Sequence, residues 1–283
     1  MRFGIVFANA GPAAQPEHAI GLAQAAERCG FDSLWTVEHV VVPADHESQY
    51  PYSKSGRMPG GEDVDIPDPL IWLAFVAAAT ETIRLCTGIL ILPQRNPGVL
   101  AKECATLDVL SGGRFTLGIG VGWLKEEFEA LGIPWEARTA RTEEHVEVLR
   151  KLWSEDVASF SGRFSSFERS KSFPKPVRGS IPIVIGGHSE AAARRAGRIG
   201  DGFFPAQGKP EELENLFKVM RKAAEEAGRD PDNIEITAGG GFDEASVARM
   251  AALGVDRLVV PTFGRTLDER IAGMESFAAA AIG

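Results

Sequence analysis

Cysteine is scarce. Cys29, Cys86 and Cys104 are the only three in 283 residues, and they form neither a CxxC pair nor a disulfide framework. An odd count among apolar neighbours points to reduced thiols and a cytoplasmic setting. Long hydrophobic runs are missing too: no stretch reaches the ~18 apolar residues that span a bilayer. The N-terminus, MRFGIVFANAGP, enters a strand-like segment without the apolar core of a signal peptide, so no membrane partner is expected. Positive charge is the minority: 30 Lys and Arg stand against 39 Asp and Glu, for a net charge of −9. That balance argues against nucleic acid as a partner, but it permits one anionic ligand in a local pocket. Several catalytic signatures are also absent. No carboxylate pair suits glycoside hydrolysis, no HxH or HExxH offers metal ligands, and no GxSxG presents a serine nucleophile. No metal is expected.

What is present is an ordinary globular composition, 44% apolar and 24% charged. Strand-like and helix-like segments alternate from end to end. The strands are expected at Arg2–Phe7, Ser33–Val37, Ile83–Leu92, Phe115–Ile119, Ile181–Ile185, Gly202–Phe204, Ile234–Ala238 and Arg257–Val260. Amphipathic or apolar helices lie between them, among them Pro69–Thr80, Pro97–Leu110, Arg138–Trp153 and Pro210–Ala227. Eight strands each followed by helix predict a single (β/α)8 barrel domain over residues 1–283, and the apolar strand runs suit a parallel sheet covered on both faces. Two connections exceed ordinary length, Val40–Asp68 after the second strand and Glu155–Ser180 before the fifth. Both carry aromatics (Tyr50 and Tyr52; Phe160, Phe164, Phe167 and Phe173), which predicts ordered lids. The first belongs to the catalytic side, and at least the end of the second belongs to the opposite face.

In such a barrel the chemistry sits at the C-terminal ends of the strands. Those ends read Phe7-Ala8-Asn9, Glu38-His39, Thr87-Gly88-Ile89, Gly118-Ile119-Gly120-Val121-Gly122-Trp123, Gly186-Gly187-His188-Ser189, Phe204-Pro205-Ala206, Gly239-Gly240-Gly241 and Pro261-Thr262. They are rich in glycine, which allows close approach of backbone to a flat or phosphorylated ligand, and poor in ionisable groups. That combination points to a bound organic cofactor as the carrier of the chemistry. The Gly186-Gly187-His188-Ser189 turn opens a helix and is the strongest anion site; the plainer reading is a tight turn with Ser189 as N-cap. Gly118-x-Gly120-x-Gly122 fails as a dinucleotide fingerprint because Trp123 follows. Trp123 is either a core aromatic or a wall against a ring. His39 ends its strand on the catalytic side, as a structural or a functional imidazole. His18, His46 and His145 read as surface residues. Arg194, Arg195 and Arg198 read as a solvated helix face from which one arginine could add to phosphate binding.

At these strand ends the chain resembles the luciferase-like superfamily, and within it the group of coenzyme F420-dependent oxidoreductases. The matching segments are Ala26–Pro43, Thr80–Pro97, Ala101–Gly132 and Pro182–Pro205. The resemblance implies a TIM barrel, usually a homodimer, with a flavin or deazaflavin at its C-terminal mouth. It implies a non-prolyl cis peptide at Gly88-Ile89 behind the ring, a phosphate site at Gly186–Ser189, and His39 beside the reactive carbon as the catalytic proton donor or acceptor. The implied cofactor-binding set is Phe7, Glu38, Gly88, Ile89, Gly120, Gly122, Trp123, Gly186, Gly187, His188 and Ser189. One departure stands out: sugar-phosphate-oxidising relatives carry a glutamate where this chain has Val121. The expected activity is hydride transfer between coenzyme F420 and a small-molecule organic substrate. The alternatives are an FMN-dependent monooxygenase served by a separate cofactor reductase, and a non-enzymatic flavin-binding barrel.

Overall fold

The computed structural model describes the chain apart from residues 54, 207, 242, 263 and 283. In chain order its elements are β1 (Arg2–Val6), α1 (Pro16–Arg28), β2 (Ser33–Thr36), α2 (Pro69–Ala77), β3 (Arg84–Thr87), β4 (Leu90–Ile91), α3 (Pro97–Leu110), β5 (Phe115–Gly120), α4 (Lys125–Ala130), α5 (Arg138–Ser154), β6 (Ala158–Ser161), β7 (Ser166–Ser170), β8 (Ile183–Gly186), α6 (Glu190–Ile199), β9 (Gly202–Phe204), α7 (Pro210–Glu226), β10 (Glu235–Gly239), α8 (Glu244–Ala252), β11 (Arg257–Pro261) and α9 (Leu267–Ala281). Proline in the first turn starts α1, α2, α3 and α7, where a missing N–H costs nothing. Caps reinforce several starts: Asp68 accepts from the N–H groups of Leu70 (2.9 Å) and Ile71 (3.0 Å).

Eight parallel strands close the barrel in the order β1, β2, β3, β5, β8, β9, β10, β11, with β11 returning to β1. The expected strand Ile83–Leu92 is two strands, with the cis Gly88–Ile89 peptide between them. Beyond the break, β4 rejoins β5 through Leu90 and Ile91. Alternation along the strands separates two apolar layers. Ile5, Leu34, Leu85, Leu117, Ile183 and Leu258 face the helices; Val6, Trp35, Cys86, Val184, Phe204 and Val259 fill the barrel. Trp35 lies across the interior. A Cβ built at Gly88 would stand 2.9 Å from its ring, and one at Gly118 would stand 1.9 Å from the Thr87 carbonyl oxygen. The N-terminal pole is closed by charge. Arg257, 1% exposed at its side chain, pairs with Asp32 (2.6 Å) and with Glu235, which also takes Arg2 (2.6 Å). Burial works against the Asp32 carboxylate, but Arg257 still holds it below the usual range.

The second long connection is ordered, as expected, but it is no lid. β6 and β7 pair as an antiparallel hairpin. Glu144 on α5 clamps its turn through the N–H groups of Arg163 (2.7 Å), Phe164 (2.8 Å) and Ser165 (2.7 Å). Phe160 and Phe167 stack on each other and pack on the core. Lys102 and Asp108 of α3 hold the rest through Phe173 and Val177. The segment therefore clads the barrel flank. Among the described residues no helix is long and apolar enough to cross a membrane.

Candidate functional site

The mouth of the barrel collects the unusual backbone. Phe7 ends β1 at φ 58°, Ala206 follows β9 at φ 64°, and the cis peptide follows β3. A bulky residue at positive φ is strained, and such strain clusters at ligand sites. Phe7 is also 38% exposed, which leaves a large apolar ring at the rim.

Ile89 ties three strand ends together. A Cβ at Gly120 would lie 2.6 Å from its Cδ1, and one at Gly186 would lie 2.5 Å from its Cγ2. Gly88, Gly120 and Gly186 thus share one mouth. The reading of these glycines as bare ground for a ligand needs revision, because Gly120 and Gly186 make room for Ile89, and Gly88 for Trp35. Gly122, at φ 80°, abuts Phe128 and Ile91. Any planar ligand here would meet the Ile89 side chain rather than naked glycine backbone.

Glu38 is turned into the wall. Its Oε2 takes the Ile91 N–H (2.5 Å) and its Oε1 takes Arg95, which also holds Asp68 (2.6 Å). Burial pushes the Glu38 carboxyl up, against the pull of Arg95, and the two carboxylates raise Arg95 in turn. Glu38 therefore braces the chain just past Ile89. Asn9, fully buried, exchanges hydrogen bonds with the main chain of Val37 (2.9 Å each) and donates to the Pro67 carbonyl (3.0 Å), fixing the approach to His39.

His39 stands at the end of β2 with its side chain 8% exposed. Its Nδ1 lies 3.1 Å from Oε2 of Glu127, whose side chain is fully buried. The Glu127 Oε1 accepts the N–H groups of Val40 (2.7 Å) and Val41 (3.3 Å). Sequence reasoning missed Glu127. The signal was there: Leu124, the N-cap of α4, is buried, and Glu127 follows it at the i+3 position of the same face.

Trp123 is a wall and not a core residue. His39, His46 and Tyr50 each meet its ring edge-on, at 5.6, 5.8 and 5.4 Å between centroids. Tyr50 meets Tyr52 at 5.4 Å, and the Tyr52 hydroxyl lies against the His188 main-chain N–H. The first long connection therefore crosses the mouth from β2 to β8, as expected of a catalytic-side lid. Glu126 tethers it by accepting from Glu47 (2.9 Å) and Ser48 (3.1 Å). Against the opposing effect of burial, the Ser48 and Glu47 bonds bring the Glu126 carboxyl down to about 2.

Gly187 (φ 131°), His188 and Ser189 lead into α6, where Ser189 Oγ caps the Ala192 N–H at 3.2 Å. The first N–H groups of the helix have no acceptor within it and suit a phosphate. The His188 ring is engaged, its Nδ1 donating to the Pro205 carbonyl at 2.8 Å. Two expectations for other residues fail. His46 is part-buried with its ring edge-on to Trp123, and His145 is 4% exposed within α5. Arg195, 5% exposed, pairs with Glu143 of α5 together with Arg198; neither is a free phosphate ligand. A separate cavity of about 320 Å3 lies outside the barrel beneath α9, lined by Ile5, Phe31, Pro261, Arg270, Met274 and Phe277. It touches the strand ends only at Pro261 and Thr262 and includes none of the residues expected to hold the cofactor.

The two tyrosines, the only ones in the chain, report on this lid. Burial, with a smaller contribution from Tyr52, pushes Tyr50 up to about 12, and burial raises Tyr52. A raised phenol stabilises the docked lid fully below pH 10 and loses that contribution as pH climbs toward 12. The lowered Glu126 contributes above its ordinary 4.5 and is lost toward pH 2. Phenolate absorbance should therefore rise later than that of a free phenol, with the Tyr50 component near pH 12; a rise centred on 10 for both rings would mean an undocked lid.

The model of the luciferase-like monooxygenase family matches residues 1–242. The chain belongs to that family. A relative in Mycobacterium tuberculosis, an uncharacterized protein, is 34% identical over 242 residues, covering 85% of this chain and 83% of that one. An F420-dependent glucose-6-phosphate dehydrogenase of Nakamurella multipartita is 34% identical over 226 residues, covering 78% of this chain but only 61% of its own. The solved structure of monooxygenase RslO1 from Streptomyces bottropensis superposes with a TM-score of 0.80 at 25% identity, covering 100% of this chain and 99% of that one. The luciferase-like chain is an enzyme of this oxidoreductase type, built on the family's TIM barrel.

Proposed function

We propose that this luciferase-like enzyme moves a hydride between coenzyme F420 and a small organic substrate. The observation that carries the reading is His39, an imidazole anchored by a buried carboxylate and set edge-on to Trp123. The residues fit a planar ring with a phosphate tail: Ile89 backs the ring, Phe7 and Trp123 edge it, and the Gly187–Ser189 turn receives the phosphate. When bound, the deazaflavin supplies the hydride donor or acceptor. His39 exchanges the accompanying proton with the substrate, the Tyr50–Tyr52 lid limits water at the mouth, and Glu38 braces the main chain behind Ile89. Val121, in place of a carboxylate, argues against a sugar phosphate substrate despite the F420-dependent glucose-6-phosphate dehydrogenase relative. The full-length likeness to a monooxygenase favours one second reading, an oxygen-activating flavin enzyme. Turnover decides between them. The F420 reading predicts cofactor bleaching or recovery without oxygen across a panel of alcohols, carbonyls and activated alkenes. Oxygen uptake dependent on FMN and a reductase would contradict it.

A further inference from the structure

We propose that Glu127 is the positioning residue that fixes His39 as the Nδ1–H tautomer, leaving Nε2 as a bare proton acceptor at the mouth. Two main-chain N–H groups, from Val40 and Val41, point at Oε1. They can only donate, so this oxygen stays an acceptor. Oε2 faces His39 Nδ1 at 3.1 Å. With one oxygen taken by main-chain donors, the carboxylate presents the other to the ring as an acceptor, so the proton between them rests on Nδ1. Among the described residues Nε2 has no hydrogen-bond partner. Neutral His39 therefore presents a lone pair at Nε2, and the orienting hydrogen bond on the other nitrogen is what selects that form.

The chemical consequence rests on the function proposed above; the tautomer does not. With a substrate alcohol, its O–H bond breaks and an N–H bond forms at Nε2. The O–H electron pair would close the carbonyl, and a bound deazaflavin would supply the acceptor for the hydride. The resulting imidazolium lies against the Glu127 carboxylate, and in the reverse direction it returns the same proton. The contact costs little flexibility, because the same carboxylate holds the two residues that follow His39 in the chain.

The test is long-range 1H–15N correlation on the cofactor-free chain, histidine-labelled, at a pH where the rings are neutral. His39→Asn identifies the His39 signals among the five histidines. The wild-type protein should show a protonated Nδ1 and an unprotonated Nε2. Glu127→Gln, whose amide can donate to Nδ1, should lose that pattern, and kcat should fall about 10- to 100-fold with substrate KM shifted far less. A wild-type Nε2–H signal, or an unchanged pattern in Glu127→Gln, overturns the proposal; the wild-type spectrum decides even if the variant fails to fold. The expected tautomer in a chain that turns over nothing with coenzyme F420 would sustain the positioning and sink the function.

Discussion

His39→Ala should lower kcat for hydride transfer by about 100- to 10,000-fold, the usual worth of a positioned proton-transfer group. Coenzyme F420 affinity should stay within about threefold, because the residues offered for ring and phosphate lie on other strand ends. Alanine also removes an edge-on contact with Trp123, so His39→Asn is the companion variant: it keeps bulk and loses the base. Equal losses in both assign the effect to proton transfer. A large loss in alanine alone would assign it to packing. A His39→Ala enzyme at full turnover would remove His39 from the chemistry.

Arg257→Met should destabilise the fold by about 3–5 kcal/mol, because it takes the guanidinium from Asp32 and leaves Glu235 with Arg2 alone at the N-terminal pole. Asp32 and Glu235 both lean on this one guanidinium, itself 1% exposed. At roughly 2–4 °C per kcal/mol, the melting temperature should fall by about 6–20 °C. Replacing Asp32, Glu235 and Arg257 together with apolar residues should recover much of the loss, since only Arg2, exposed to solvent, then loses its partner. Cofactor binding in folded Arg257→Met should be unchanged, because the strands carry this cluster at one pole and the candidate site at the other. A drop under about 1 kcal/mol would show that water reaches the cluster and screens it.

Much of this molecule is legible in its residues because parallel barrels write simple patterns. Apolar runs such as Leu85–Thr87 and Leu117–Ile119 are buried on both faces, and proline or a capping side chain marks the helix starts. The mouth glycines were found for an incomplete reason. Composition shows where a Cβ is missing, but not that Trp35 and Ile89, distant in the chain, occupy the vacated space. The Phe160/Phe167 hairpin was hidden because its aromatics look alike whether they cover a mouth or clad a flank; only the Glu144 clamp places it. Glu127 and His145 were missed because charged or polar types usually face water. Each sits instead at an inward helical position, where spacing outweighs residue type.

If this barrel mouth holds a planar redox ring and its phosphate, as proposed, it should prefer the deazaflavin. Equilibrium titrations with coenzyme F420 and with FMN, run side by side on the purified chain, test it most directly. The account predicts saturable quenching of protein fluorescence by coenzyme F420 at or below about 1 μM, roughly −8 kcal/mol, and binding of FMN at least about tenfold weaker. Tighter binding of FMN would contradict the cofactor assignment, and binding of neither would contradict the site itself.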